Sequence, residues 1–228
     1  MDFQNRTVIV TGGTGALGHA VVGALLAAGA QCRLSYLHER EAVGFPYRDR
    51  VMLIGPCDLT SEADVARLYQ GVDGLWASIH IAGGFAMSGL ADTGKSGLMD
   101  MLNTNLISCH LCCRAAVHAF AAGGRIVNVG ARPGLEPRLG AGMSAYAASK
   151  AAVIALTQAL AAELASRDIL VNAVVPSIID TPANRASMPK ADHDAWPKPE
   201  QIAATIAFLA SPDNAVTTGG AVPVYGRS

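Results

Sequence analysis

The sequence predicts an α/β fold: one doubly wound, mostly parallel sheet with helices on both faces. Three observations lead there. Blocky apolar runs alternate with helical stretches from end to end, as in Arg6–Thr11, Leu75–Ile81 and Ile169–Val175. Strands buried on both faces read as continuous apolar runs, whereas half-exposed strands alternate. A glycine-rich turn, Gly12-Gly13-Thr14-Gly15-Ala16-Leu17-Gly18, joins the first such run to the first helix. No linker or composition shift divides the 228 residues, so a single domain over 1–228 is expected.

Composition narrows the function classes. Apolar residues make up 51% of the chain and charged residues 15%, with a net charge of -1. That balance suits a large core and offers no positive field for nucleic acid. No apolar run reads as a membrane span or a secretory leader, so no membrane partner is expected and the chain is placed in the cytoplasm. The five cysteines, Cys32, Cys57, Cys109, Cys112 and Cys113, fit no tetrahedral metal spacing and read as reduced core thiols. No metal is expected, and His80 reads as a core or water-bonded histidine.

In chain order, Arg6–Thr11 is the first strand and Ala20–Ala28 the first helix. The glycines between them let the backbone turn tightly and come close to a pyrophosphate, while the helix N-terminus offers free N–H groups. Gln31–Tyr36 is the second strand, whose tip lies beside an adenosine ribose in a dinucleotide fold. No acid stands at that tip: Tyr36 does, with His38 and Arg40 placed to face a phosphate, and the cofactor leans mildly toward tolerating NADP. Arg50–Ile54 is the third strand, with Asp58 and Leu59 positioned to hold an adenine ring, or Asp58 a plain turn residue. Ser61–Gln70 is an amphipathic helix with a cap-like start.

The fourth strand, Leu75–Ile81, ends in Ala82-Gly83-Gly84-Phe85, where small residues permit close approach and Phe85 can stack on a flat ring. Residues 86–96 read as loop, and Leu98–Phe120 as one long helix with the amide of Asn105 in an apolar surround. Such an amide needs partners and bends a helix locally or holds water. Arg125–Val129 is the fifth strand and Gly130–Met143 a loop. A helix over 144–166 follows, then the strand Ile169–Val175. Pro176–Pro199 carries few helix or strand signals and reads as a flap. Glu200–Ala210 is the last helix and Ala221–Val224 the last strand. The glycine loop, Gly83, Gly130 and Pro176 all fall at strand C-termini, where ligands bind in open α/β sheets.

Tyr146 and Lys150 lie four residues apart, on one face of the helix that Ser144 opens. A phenol is a poor acid at neutral pH unless its anion is stabilised, and a nearby ammonium supplies that stabilisation. The pair reads as a proton donor with its activator, although surface Tyr and Lys at this spacing are common.

Taken together, Thr11-Gly12…Gly18, Asp58, Ala82-Gly83, Asn105, Tyr146-x-x-x-Lys150 and Val171–Pro176 resemble the short-chain dehydrogenase/reductase family over nearly the whole chain. The resemblance implies a Rossmann-type fold, bound NADH or NADPH, and a small-molecule substrate. It also implies a homodimer or homotetramer packed through the helices 98–120 and 144–166. It makes Tyr146 the acid/base and Asn105 the support of a proton relay. Lys150 would hold the nicotinamide ribose and lower the tyrosine pKa. Three positions depart from the pattern: Ala16 replaces a glycine, Ile81 an asparagine, and Gly130-Ala131 stands where the family has its serine.

The departures and the stretch Asp180–Asp192 resemble dihydropteridine reductase, a branch that also lacks the serine. Its substrate, a quinonoid dihydropterin, is a flat conjugated ring that needs a proton on nitrogen and little help at a developing alkoxide. Phe85, Ala131, Ser144 and Tyr146 would face the substrate. Pro176 and Thr181 would approach the nicotinamide, Thr181 through its carboxamide or else through local turn bonds alone. Two other readings stay open: a carbonyl or alcohol oxidoreductase that recruits Ser144, and a cofactor-binding protein of weak or lost activity.

Overall fold

The computed structural model describes residues 1–228. Seven strands form one sheet: β1 (Thr7–Thr11), β2 (Gln31–Ser35), β3 (Met52–Ile54), β4 (Leu75–His80), β5 (Gly124–Val129), β6 (Ile169–Pro176) and β7 (Ala221–Val224). Their order is β3-β2-β1-β4-β5-β6-β7, and every pair is parallel. The winding reverses between β1 and β4, which opens a crevice at their C-terminal ends.

Side-chain alternation sorts the strands onto two cores. Val8 and Val10 join α1 (Ala16–Ala27) and α9 (Pro199–Ala210) on one face, through Leu25, Ile202 and Ile206. Ile9, Ile126 and Val171 point to the other face. There they meet α3 (Glu62–Tyr69), α5 (Ser108–Ala119) and α7 (Ser144–Glu163). The period-2 geometry of a strand requires this split once both faces are covered.

Local chemistry sets the helix ends. Ser61 caps α3 by accepting from the Asp64 N–H. Past α1, Gly29 at φ +91° ends the turn, and the Ala30 N–H returns to the Leu25 carbonyl. At α9, Pro199 occupies the first turn and the Lys198 N–H donates to Gln201 Oε1.

Four sequence expectations change. The expected helix 98–120 begins earlier, as α4 (Lys95–Met101), passes through a π-helical segment at Leu102–Ile107, and continues as α5. The wide turn falls around Asn105, the buried amide expected to disturb the helix. Residues 130–143 form α6 (Arg132–Leu135) and a 3₁₀ turn, Pro137–Gly140, because Pro133 and Pro137 sit in first turns where proline costs nothing. Residues 176–199 contain α8 (Pro182–Ser187), again started by a proline and capped by Thr181. A short α2 (Glu39–Val43) follows β2, where no helix was expected. Finally, α7 is long and apolar enough to cross a membrane by length and composition; in the fold it packs against β6 and the π-helical segment.

Candidate active site

The crevice above β1 and β4 is a cleft of about 600 Å³. Its floor is the glycine turn. Gly12 has φ +68°, and a Cβ there would sit 2.6 Å from the Ala82 N. Gly18 has no room either, because its Cβ would strike the Gly12 carbonyl. The turn therefore closes tightly onto β4 and brings bare backbone to the cleft. No side chain caps α1 and no acid stands in its first turn, so its N-terminal N–H groups are left for an anion. A dinucleotide pyrophosphate fits this cradle.

Gly12, Thr14, Gly15, Ala16, Leu17 and Gly18 line the cleft, and so do Tyr36, Asp58, Leu59, Ala82 and Gly83. His38, Lys150, Pro176 and Thr181 are not part of that lining. His38 is exposed at the start of α2. Tyr36 turns its hydroxyl to Glu39 Oε1 (3.0 Å) and the Gly55 carbonyl (3.1 Å). Asp58 Oδ1 accepts from the N–H and hydroxyl of Thr60, a local turn. Thr181 Oγ1 accepts from the Asn184 N–H, and Asp180 pairs with Arg185, both within this stretch.

The catalytic candidates form a second group beside the cleft. Lys150 is buried, and its Nζ donates to the Val129 carbonyl (3.0 Å). Loss of hydration lowers its pKa to about 8. A Cβ on Gly83 would lie 3.1 Å from Lys150 Nζ and 2.7 Å from Asn105 Oδ1. The lysine thus reaches the end of β4 only because that residue is glycine. Asn105 holds Gly84 from both sides: its Oδ1 accepts from the Gly84 N–H (2.9 Å) and its Nδ2 donates to the Gly84 carbonyl (3.1 Å). The same Nδ2 donates to Ser149 Oγ (3.0 Å), which in turn donates to the Tyr146 carbonyl (2.8 Å).

Tyr146 is half-buried, and burial pushes its phenol up to about 12. Lys150 Nζ meanwhile donates to the Val129 carbonyl. Phe85 lies edge-on to Tyr146, ring centroids 5.0 Å apart at 82°, and is itself 61% exposed. Ala131 is buried at the start of α6, and Ser144 is exposed at the start of α7.

Two participants escaped the sequence reading. Ser149 is fully buried, and its only signal was a hydroxyl three residues after Tyr146. Glu41 lines the cleft from α2, a helix the sequence did not announce. Beneath the site, the histidine and two of the thiols read as core form a buried cluster around Asn128. His80 Nδ1 faces Asn128 Oδ1 at 2.8 Å, with Cys109 Sγ 3.3 Å and Cys113 Sγ 3.6 Å from the same oxygen. Asn128 Nδ2 donates to Thr157 on α7 (2.9 Å), so these donors are satisfied internally across the sheet. A wider groove of about 920 Å³ between α3 and α5 holds none of these groups.

The profile of the enoyl-(acyl carrier protein) reductase family matches residues 13–226. The 3-oxoacyl-(acyl-carrier-protein) reductase FabG of Pseudomonas aeruginosa is 40% identical over 56% of this chain, and the match spans 55% of that protein's length. The 4-formylbenzenesulfonate dehydrogenase of Comamonas testosteroni is 30% identical over 99% of this chain and 98% of its own. Among solved structures, a short-chain dehydrogenase/reductase from Serratia marcescens superposes with TM-score 0.88 at 27% identity, covering 99% of this chain and 98% of its own. ElxO with NADP bound gives TM-score 0.88 at 25% identity, covering 97% of each chain. The glycine cradle, the Tyr146/Lys150 helix and these matches over the whole fold agree: the chain belongs to the short-chain dehydrogenase/reductase family of NAD(P)-dependent oxidoreductases.

Proposed function

We propose that the protein reduces a quinonoid dihydropterin, or a similarly flat conjugated substrate, with NADH or NADPH. The observation that carries this reading is Phe85, 61% exposed and edge-on to Tyr146 at 5.0 Å. An exposed aromatic face beside a proton donor suits a planar ring, which stacks by its π-surface. Ala131 adds support: the methyl group behind β5 offers no hydrogen bond to an alkoxide, and a C=N system asks for none.

Bound in the cleft, the nicotinamide would supply the hydride. The chain's own residues do the rest. Tyr146 stays protonated at neutral pH, since its phenol is held near 12, and it gives its proton at the substrate nitrogen. Lys150, near 8, is charged at neutral pH, lies next to Gly83 where a ribose would rest, and can return a proton to Tyr146 through water. Asn105 fixes Gly84, and through Ser149 it fixes the turn of α7 that carries Tyr146.

A carbonyl or alcohol oxidoreductase is the second reading. The names of the Pseudomonas and Comamonas relatives favour it, and Ser144, exposed in the first turn of α7, would be its substitute hydroxyl. The test follows cofactor absorbance with quinonoid dihydropterin, a 3-oxoacyl thioester and a ketone panel, using Tyr146→Phe as control. Rapid Tyr146-dependent oxidation with the dihydropterin supports the first reading. Turnover confined to ketones and lost in Ser144→Ala supports the second. Cofactor binding with no Tyr146-dependent turnover on any of them leaves the weakly catalytic reading.

A further inference from the structure

The adenosine end of the cleft carries a charge pattern that the strand-tip residue does not reveal. Tyr36 at the tip of β2 is neutral, and its hydroxyl is turned away to Glu39 and Gly55. Judged by that position alone, the site has no acceptor for ribose hydroxyls and nothing against a 2′-phosphate. The acid arrives from α2 instead. Glu41 Oε2 accepts from the Thr14 hydroxyl (3.1 Å) and from the Leu37 N–H (3.3 Å). These two bonds pin the carboxylate between the glycine turn and the end of β2, where the ribose of a dinucleotide lies. Its Oε1 makes no hydrogen bond within the protein and is free to accept from a ribose hydroxyl.

The rest of the lining points the same way. Two carboxylates, Glu41 and Asp58, face the cleft, and no Lys, Arg or His does. His38 and Arg40 are exposed on the neighbouring turn and helix, outside the lining. A 2′-phosphate placed here would bring close to two negative charges against a carboxylate held by the backbone, with no cation in the lining to offset them; the Arg48 guanidinium acts on the Tyr36 hydroxyl from outside it.

We propose that Glu41 is the residue that selects the cofactor, accepting from the ribose hydroxyls of NADH and excluding the 2′-phosphate of NADPH. The protein is therefore NADH-selective, against the lean that Tyr36, His38 and Arg40 suggested. The inference rests on the family's cofactor cleft and is independent of the substrate reading, so its test uses binding and no turnover.

The experiment is a fluorescence titration of the protein with NADH and with NADPH in wild type, Glu41→Gln and Arg40→Ala. Wild type is expected to bind NADH at least tenfold more tightly. Glu41→Gln keeps the shape and removes the charge, and should bring the ratio within about threefold, mostly through a gain for NADPH. Arg40→Ala should leave NADPH affinity within twofold. Equal or tighter NADPH binding by wild type overturns the proposal, as does an unchanged ratio in Glu41→Gln or a selective loss of NADPH binding in Arg40→Ala. If Glu41→Gln does not fold, wild type alone decides through adenosine diphosphoribose and its 2′-phosphate. The preference for the unphosphorylated ligand should shrink in concentrated salt, because the repulsion is screened. A preference that is absent, or that salt does not change, overturns the proposal.

Discussion

Lys150, the candidate partner of Tyr146, shows what a buried ammonium costs its own fold. Its native pKa, about 8, lies below the ordinary 10.5, so burial penalises the charged form. The difference corresponds to roughly 3 kcal/mol of destabilisation while the lysine is charged in both states. The sign follows from proton counts. Between pH 8 and 10.5 the unfolded chain holds more protons than the native one, so stability from this group rises with pH and the penalty is gone above 10.5. Lys150→Met removes the charge and forfeits the bond to the Val129 carbonyl, a loss of about 1 kcal/mol. Thermal melts should therefore show the variant more stable by roughly 2 kcal/mol at pH 7, with the margin shrinking as pH climbs through 8. Activity should be lost. In wild type, kcat/KM for reduction should fall above pH 8 as Lys150 gives up its proton. A flat profile to pH 10 would remove the charged lysine from the mechanism. Asn105 is the opposite case. Asn105→Ala strands the N–H and carbonyl of Gly84 and the Ser149 hydroxyl, and should cost about 2–3 kcal/mol in denaturant unfolding, with kcat falling by a larger factor than stability alone explains.

Among the elements, those built from long apolar runs could be read directly. The strand β1, the helix α1 and the helix α7 are long apolar runs next to glycine or polar residues, and their chemistry followed: a bare helix N-terminus over glycine and a Tyr/Lys pair on one face. The short elements could not. The helix α2, five residues long, has too few residues to show a period, and with it Glu41 was lost from the site. Residues 176–199 carry few helix signals in sequence because α8 is only six residues long, yet Pro182 starts it in the one turn where its missing N–H is harmless. That segment is tied at its ends, the Asp180 N–H donating to the Pro197 carbonyl (2.9 Å), with Trp196 buried beneath it. Thr181→Ala should remove the cap on α8 and cost about 1 kcal/mol at most, since the helix is short and exposed. If the segment closes over substrate, limited proteolysis between residues 181 and 190 should slow only when cofactor and substrate are both present. Equal cutting with and without them would make it a static surface segment.

At the scale of the whole molecule, one face does not match its composition. The helix α7 is apolar enough along its length to cross a membrane, yet this chain buries less than half of its apolar run. Leu98 and Met99 on α4 and Ile107 at the end of the π-helical segment are also exposed, at 39%, 40% and 38%. Apolar surface left open on the two longest helical stretches favours burial against a like surface, at about 25 cal/mol for each Å² removed from water. We therefore propose a homodimer or homotetramer joined through 98–120 and 144–166. The arrangement would brace the π-helical segment and the first turns of α7, and with them Asn105 and Tyr146, so activity should depend on assembly. Light scattering behind a sizing column should give a mass of two or four chains at micromolar concentration. Ile107→Glu places a charge on that face without touching Asn105's partners; it should shift the mass toward one chain and lower activity in step with the monomer fraction. A wild-type chain that runs as a monomer while fully active would show that the fold holds its site unaided, and would leave the exposed face of α7 to some other contact.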